Sequence, residues 1–418
     1  MSNSMRGLLA SLAGVMALGG AIPLSEALAA RAPAPARAAL AQQCRDPFSA
    51  QRDPANPLGL PAAPGSNPLR GAHFFVDGPA DGAAAGAIAT MLGLDPHRFP
   101  DGESWARFAR SLDHGALHRR MVGDRGLTYR VHQLEKIASQ PEVQRLSSYA
   151  MGGGPGAIFA QTEKLLCHNF TADRGTIPLL NTYFLHPAAG SCPSPAALAA
   201  AGPTFRRRVG ELAEAVARRP AVFLLETDGV GTTSCIARAG SLPLWEADLR
   251  YEIGQMAALP HSVVYVEGGY SDSNSVRYTA RVLNAIGIRR IRGFYTNDTH
   301  EQWTINEVRW SNRISRLTHG AHYIVNTADN GRGALLNPHP TTQGVEDLCN
   351  PPQRGLGPTD TTNTGYPAAD GFLWTHPPGN SSGCGGGPPG GVFWVSRAVQ
   401  EAENANDRLG PSFPNLPY

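Results

Sequence analysis

Short apolar runs rich in β-branched and aromatic residues recur along the chain, each closed by polar side chains. They occupy residues 177–184, 221–228, 262–267, 291–297, 321–326 and 371–376. Near-continuous apolar character marks strands buried on both faces, as in a parallel sheet. Between them, helical spacing of apolar positions predicts helices over 205–218, 244–258, 275–285 and 305–317. Strand and helix alternate, which defines an α/β fold. With so many units and no glycine-rich nucleotide loop, a barrel is favoured over an open sheet. A weakly patterned stretch at 144–149 offers one further strand, and 104–112 reads as an outlying helix.

The ends of these runs are polar: Glu226, Asp228, Glu267, Asn297, Asn326, Asp329 and His376. In a parallel barrel such positions converge on the carboxyl-terminal mouth, where side chains from different strands meet one substrate.

Arg6 precedes an apolar run that ends at Ala27-Leu28-Ala29, the pattern of a cleaved secretory signal over residues 1–29. A Pro/Ala-rich linker is expected at 30–44, then an extension at 45–130 packed on the barrel, then the α/β barrel itself at 131–418. The mature chain is expected to be secreted, with no membrane partner after cleavage. The six cysteines, Cys44, Cys167, Cys192, Cys235, Cys349 and Cys384, suit an oxidising compartment, and spacing leaves their pairing open. No Cys-x-x-Cys pair occurs, and neither metal nor cofactor is expected. Lys+Arg is 36 against Asp+Glu 34, so no basic field exists to attract nucleic acid. Gly 47 and Pro 35 mean many turns, while 42% hydrophobic residues still supply a core.

Several stretches carry a more specific pattern: Leu225-Glu226-Thr227-Asp228, Val264-Tyr265-Val266-Glu267-Gly268-Gly269, and Ile324-Val325-Asn326-Thr327-Ala328-Asp329-Asn330-Gly331. Cys349 through Gly357, Thr362-Asn363-Thr364-Gly365, and Phe372-Leu373-Trp374-Thr375-His376-Pro377-Pro378-Gly379 complete it. In order and spacing the chain resembles glycoside hydrolase family 6, the cellobiohydrolases and endoglucanases of β-1,4-glucan, as a divergent bacterial-type member. The resemblance implies a distorted seven-stranded parallel β/α barrel and an inverting mechanism. It implies disulfides Cys192–Cys235 and Cys349–Cys384, leaving Cys44 and Cys167. It also makes Asp228 the general acid, a role that suits a half-buried carboxyl beside Leu224 and Leu225.

Departures from the family pattern are as informative. Ser191 stands where the family has an aspartate, Glu267 replaces an aspartate, and Tyr270 replaces a histidine. Asn380 and Ser382 fall on an acidic pair, and His376 on a sugar-binding lysine. Glu267 is then the best remaining proton acceptor or charge stabiliser, with Asp272 or Asp298 as loop-borne substitutes. Sugar contacts are expected from Tyr183, Asn297, Trp303, Trp374, His376 and Asn380, because pyranose rings need flat apolar faces and hydrogen-bonding tips. The short turn at 377–383 and the Ala/Pro-rich stretch at 193–203 predict an open cleft and endo-type cutting by a monomer. Two other readings stand beside this one: a non-hydrolytic carbohydrate-binding relative, and a hydrolase of a different polysaccharide.

Overall fold

The structure, a computed structural model, describes residues 56–60, 67–98, 121, 123–147, 154–172, 175–185, 192–334 and 349–405. Helices α1 (Ala83–Met91) and α2 (Arg125–Ala138) precede a seven-stranded sheet. Its strands are β1 (Gln144–Ser147), β2 (Leu179–Tyr183), β3 (Ala221–Leu225), β4 (Ser262–Glu267), β5 (Gly293–Thr296), β6 (His322–Asn326) and β7 (Ala369–Leu373). Helix α3 (Ala157–Ala172) links β1 to β2, and α4 (Pro195–Val216) links β2 to β3. Then follow α5 (Thr233–Arg238) with α6 (Leu242–Ala257), α7 (Val276–Ile286) and α8 (Thr304–Leu317), and α9 (Val395–Glu403) comes after the sheet.

Neighbouring strands are parallel and lie in chain order from β1 to β7. Side chains alternate between two cores, as strand period requires. On β3, Ala221, Phe223 and Leu225 join the outer core against the helices, while Val222 and Leu224 join the inner one. The inner cluster unites residues from β2 through β7, so the sheet curls around it. Among the described residues no ladder pairs β1 with β7, and the barrel is distorted and open at that seam.

Leu58, Leu60, Leu69 and Phe74 fill the inner core from below. His261 Nδ1 lies 3.0 Å from the Pro57 carbonyl oxygen, and Phe75 N donates to Ile177 O at 3.1 Å. Both contacts lie just before strands β4 and β2, at the end opposite the mouth. A separate cluster joins α1, α2 and α9 with Leu356 and Trp374.

Within the described residues the expected strands and helices are present with small shifts, and three differences stand out. Residues 193–203, expected as a loop, open α4 instead: the Ser194 hydroxyl caps Ala197 N at 3.2 Å and a proline begins the helix. Helix α2 was not expected, and it runs unbroken through residues 130 and 131, where the domain boundary was expected. Helix α3 is the third difference. The signal, the linker, the helix at 104–112, Cys44 and Ser191 lie outside the described residues. Disulfides join Cys192 to Cys235 and Cys349 to Cys384.

Candidate active site

The turn after β3 is held in an unusual backbone conformation. Glu226 and Asp228 both have positive φ, 52° and 60°, in a region that costs non-glycine residues free energy. Neighbouring elements enforce it. The buried Glu226 carboxylate accepts Phe184 N at 3.0 Å and Leu185 N at 2.9 Å, tying the turn to the end of β2. Trp245 Nε1 on α6 donates to Gly229 O at 2.7 Å. A side chain at Gly229 would come within 2.7 Å of Glu226 O, so only glycine fits there.

Asp228, half-buried at this turn, accepts from the Tyr270 hydroxyl and from Thr299 Oγ1 at 2.7 Å, both on Oδ1. Burial and the charges of Asp228 and Glu267 push the Tyr270 phenol well above its ordinary range, so it stays protonated and donates. The Tyr270 ring stacks on His300 with centroids 3.8 Å apart. His300 Nδ1 lies 3.0 Å from Asp272 Oδ1; burial opposes charging this imidazole, but Asp272 raises its pKa overall.

The other expected carboxylates do not open on the mouth. Glu267 is fully buried. Its Oε2 accepts Val230 N at 2.7 Å and Gly231 N at 2.8 Å, and its Oε1 accepts Gly269 N. Burial and the Asp228 charge push it up to about 8 against the pull of those amides. Its oxygens are engaged by the backbone amides of the Asp228 turn and of Gly269. Asp272 is taken by His300 and Gln302. Asp298 is buried between Thr375 Oγ1 at 2.7 Å and Arg145 Nη2 at 3.2 Å.

Arg145, on β1, is partly exposed in the mouth, bonded through Nε to Asn181 Oδ1 at 3.0 Å and placed 5.8 Å over the ring of the half-buried Tyr183. His376 sits 3.7 Å from Asp329, and burial with Arg145 and Arg397 pushes its pKa down to about 3, leaving the imidazole neutral. Trp303 flanks the start of α8 half-buried, packed on Gly333, and Asn380 is half-buried with no partner for Oδ1 among the described residues.

Two expected sugar contacts are core residues. Asn297 is fully buried: its Nδ2 donates to Gln302 O and Asn326 O, each at 3.1 Å, and its Oδ1 accepts Gln302 N. Trp374 is fully buried in the cluster of α1, α2 and α9, with Nε1 on Pro358 O at 3.0 Å. Polar or aromatic character at a strand end thus served the loops and not the cleft. Sequence reasoning did not single out Thr299 or Arg145, and noted Tyr270 only as a replacement. The available signals were a tyrosine just past the β4 glycines and a cation inside a short strand.

Fold and mouth define a class: a parallel β/α barrel with an acid–hydroxyl cluster at the carboxyl ends of its strands. The family model described as glycosyl hydrolases family 6 matches residues 196–389. Endoglucanase A of Thermobispora bispora is 26% identical over 281 residues, and Endoglucanase A of Cellulomonas fimi is 27% identical over 273. Each alignment covers 65% of this chain but only 56% of the relative, so the chain spans little more than half the length of these proteins. A solved endoglucanase from Mycobacterium tuberculosis, in complex with methyl-cellobiosyl-4-deoxy-4-thio-β-D-cellobioside, superposes with a TM-score of 0.61 at 26% identity, over 81% of this chain and 99% of that one. Over this stretch the chain is similar to glycosyl hydrolases of family 6.

Proposed function

We propose that the chain is a secreted, endo-acting glycosidase that hydrolyses β-1,4-glucan with inversion, Asp228 serving as general acid. The observation that carries this reading is the Asp228 carboxyl, half-buried on a strained turn at the barrel mouth and engaged through Oδ1 by two hydroxyls. The names of the relatives and the cello-oligosaccharide bound by one of them support the substrate class.

As the anomeric C–O bond breaks, Asp228 gives its proton to the departing oxygen, and a water adds to the opposite face of the sugar. Among the described strand-end carboxylates only Asp228 is more than marginally exposed, so the water's proton leaves through solvent-linked groups and not directly to a neighbouring side chain. Tyr183 and Trp303 offer ring faces for sugars; His376, kept neutral, and Asn380 offer hydrogen-bonding tips. Glu267 positions the acid's turn. The signal-like residues 1–29 and the two disulfides support export.

The test is a panel of cellulose, soluble β-glucans and xylan assayed for new reducing ends, with Asp228→Asn as blank. Release from β-1,4-glucan by wild type alone supports the reading. Equal, negligible release by both proteins on every glycan refutes it. The buried state of Glu267, Asp272 and Asp298 favours one second reading, a carbohydrate-binding relative without turnover. Glucan binding with no reducing ends formed would support it.

A further inference from the structure

Lys+Arg and Asp+Glu nearly balance over the chain, at 36 against 34, but the fold does not mix them evenly. Helix α7 carries the exposed Arg277 and Arg281, and the turn at 288–290 carries Arg289 and Arg290, exposed as well. Helix α8 carries Arg309, Arg313 and Arg316, again all exposed. The two helices pack side by side, and Asn284 Nδ2 on α7 donates to Leu317 O at the end of α8 at 3.1 Å. These arginines therefore share one wall of the barrel. Arg250 extends it from α6, its Nη1 donating to Ala285 O at 2.9 Å. The acidic residues between 273 and 321 are Asp298, Glu301 and Glu307, and all are buried. Exposed carboxylates lie elsewhere: Asp81, Asp95 and Asp124 flank α1 and α2, and Glu214 and Glu403 sit on α4 and α9. Among the described residues no arginine of α7, the 288–290 turn or α8 has an ion pair.

Folding does not account for this wall. Arg277 with Arg281, and Arg309 with Arg313, are like charges four residues apart, which weaken a helix. Arg277 also stands in the first turn of α7, where the helix dipole disfavours a cation. A bound polyanion relieves both costs. We propose that the α7–α8 wall binds an anionic polysaccharide, a chain bearing uronate carboxylates, alongside the glucan proposed for the mouth. A guanidinium fork donates two parallel hydrogen bonds to a carboxylate. Arg309, Arg313 and Arg316 form one row along α8, about 10 Å long by the helical rise, which suits an extended chain. Helices α7 and α8 each follow the carboxyl end of a strand, β4 and β5, so the wall starts beside the mouth. Nucleic acid and membrane fit it less well. Tyr278 is half-buried under the Arg281 guanidinium, 4.8 Å from its ring centroid, and is not open to base stacking. On these helices only Leu317 is a large exposed apolar side chain, too little to enter a bilayer. The choice of a glycan rests on the glycosidase reading above; the charge of the wall does not.

The test is calorimetric titration of polygalacturonate into the full chain at low and high salt, with hydroxyethylcellulose as the neutral control. Wild type should bind polygalacturonate with an affinity that falls steeply as salt rises, because binding releases counterions. The combined variant Arg309→Gln, Arg313→Gln and Arg316→Gln changes exposed positions, where folding is not at risk. Its affinity should fall by about 10-fold or more, the combined effect of exposed charge contacts. Reducing-end release from hydroxyethylcellulose should be the same as in wild type. The exposed pair on α2, changed as Arg125→Gln with Arg130→Gln, should bind polygalacturonate as wild type does. Absence of binding by wild type at low salt overturns the proposal, and so does an α8 variant that binds as tightly as wild type. Equal losses in the α2 and α8 variants overturn it too, since general charge would then suffice. Tighter binding of duplex DNA or of phosphatidylserine vesicles at matched charge, lost in the same α8 variant, overturns the choice of a glycan and the proposal with it. If polygalacturonate binds through α8 while no glucan is cleaved, the wall stands and the glycosidase reading falls.

Discussion

Glu267 differs by one methylene from the aspartate its family pattern leads one to expect, and that methylene changes its work. The longer side chain lies within reach of Val230 N, Gly231 N and Gly269 N at once, so it fastens the Asp228 turn to the end of β4. A carboxylate with three amide donors loses much when one oxygen becomes an NH2 group, because a donor then faces a donor. Glu267→Gln is therefore expected to lower the unfolding free energy by about 1–3 kcal/mol. Urea denaturation measures it. A variant with unchanged stability and a specific loss of rate would return Glu267 to the proton-transfer chemistry. Asn297 and Trp374 teach the complementary lesson. Each follows an apolar strand as a substrate residue would, yet each is spent inside the fold, on loop amides or on packing.

At the level of elements, legibility followed burial. Strands β3, β4 and β6 were readable because both faces are apolar and their runs are continuous. Strand β1 was faint because it is only four residues long and carries Gln144 and Arg145, of which Arg145 serves the mouth. The Asp228 turn was readable from its motif. The hydroxyls engaging it were not, because Tyr270 and Thr299 come from the turns after two different strands and meet only in three dimensions. The same is true of the strut inside the barrel. Arg292 Nε and Nη2 bond Asp370 at 2.7 and 2.9 Å, and Tyr265 OH and His322 Nδ1 complete the cluster at 2.7 and 3.0 Å. Burial raises the Asp370 pKa, but Arg292 and His322 outweigh it and hold the carboxyl below its ordinary range. Asp370→Asn takes the charged partner from a half-buried guanidinium and should cost about 3–5 kcal/mol, read by chemical denaturation. A loss under 1 kcal/mol would show the strut to be dispensable.

Over the whole molecule, buried carboxyls set the pH range of stability. Burial pushes Glu135 up to about 9, and Glu267 and Asp360 up to about 8. Groups raised in this way hold more protons folded than unfolded, so stability falls as pH rises from their ordinary range toward 8–9. The depressed Asp370 acts oppositely, its contribution being lost as pH falls. Tm should accordingly be lower at pH 9 than at pH 6; an equal or higher value at pH 9 would contradict this. Cleft shape is a second property of the whole molecule. With the stretch after Cys192 spent on α4, and 377–383 folded as a tight turn, these segments offer no roof. The proposed endo-type cutting predicts a steep viscosity loss in a soluble glucan for few reducing ends formed; a slow, proportional loss would indicate chain-end action. The central claim is that Asp228 protonates the departing oxygen of a β-1,4-glucan during an inverting hydrolysis. Proton NMR of freshly cleaved cello-oligosaccharide tests it most directly. Wild type should release the α-anomer first, and Asp228→Asn should be slower by about 10²–10⁴-fold. Initial release of the β-anomer, or near-wild-type rates in the variant, would contradict the account.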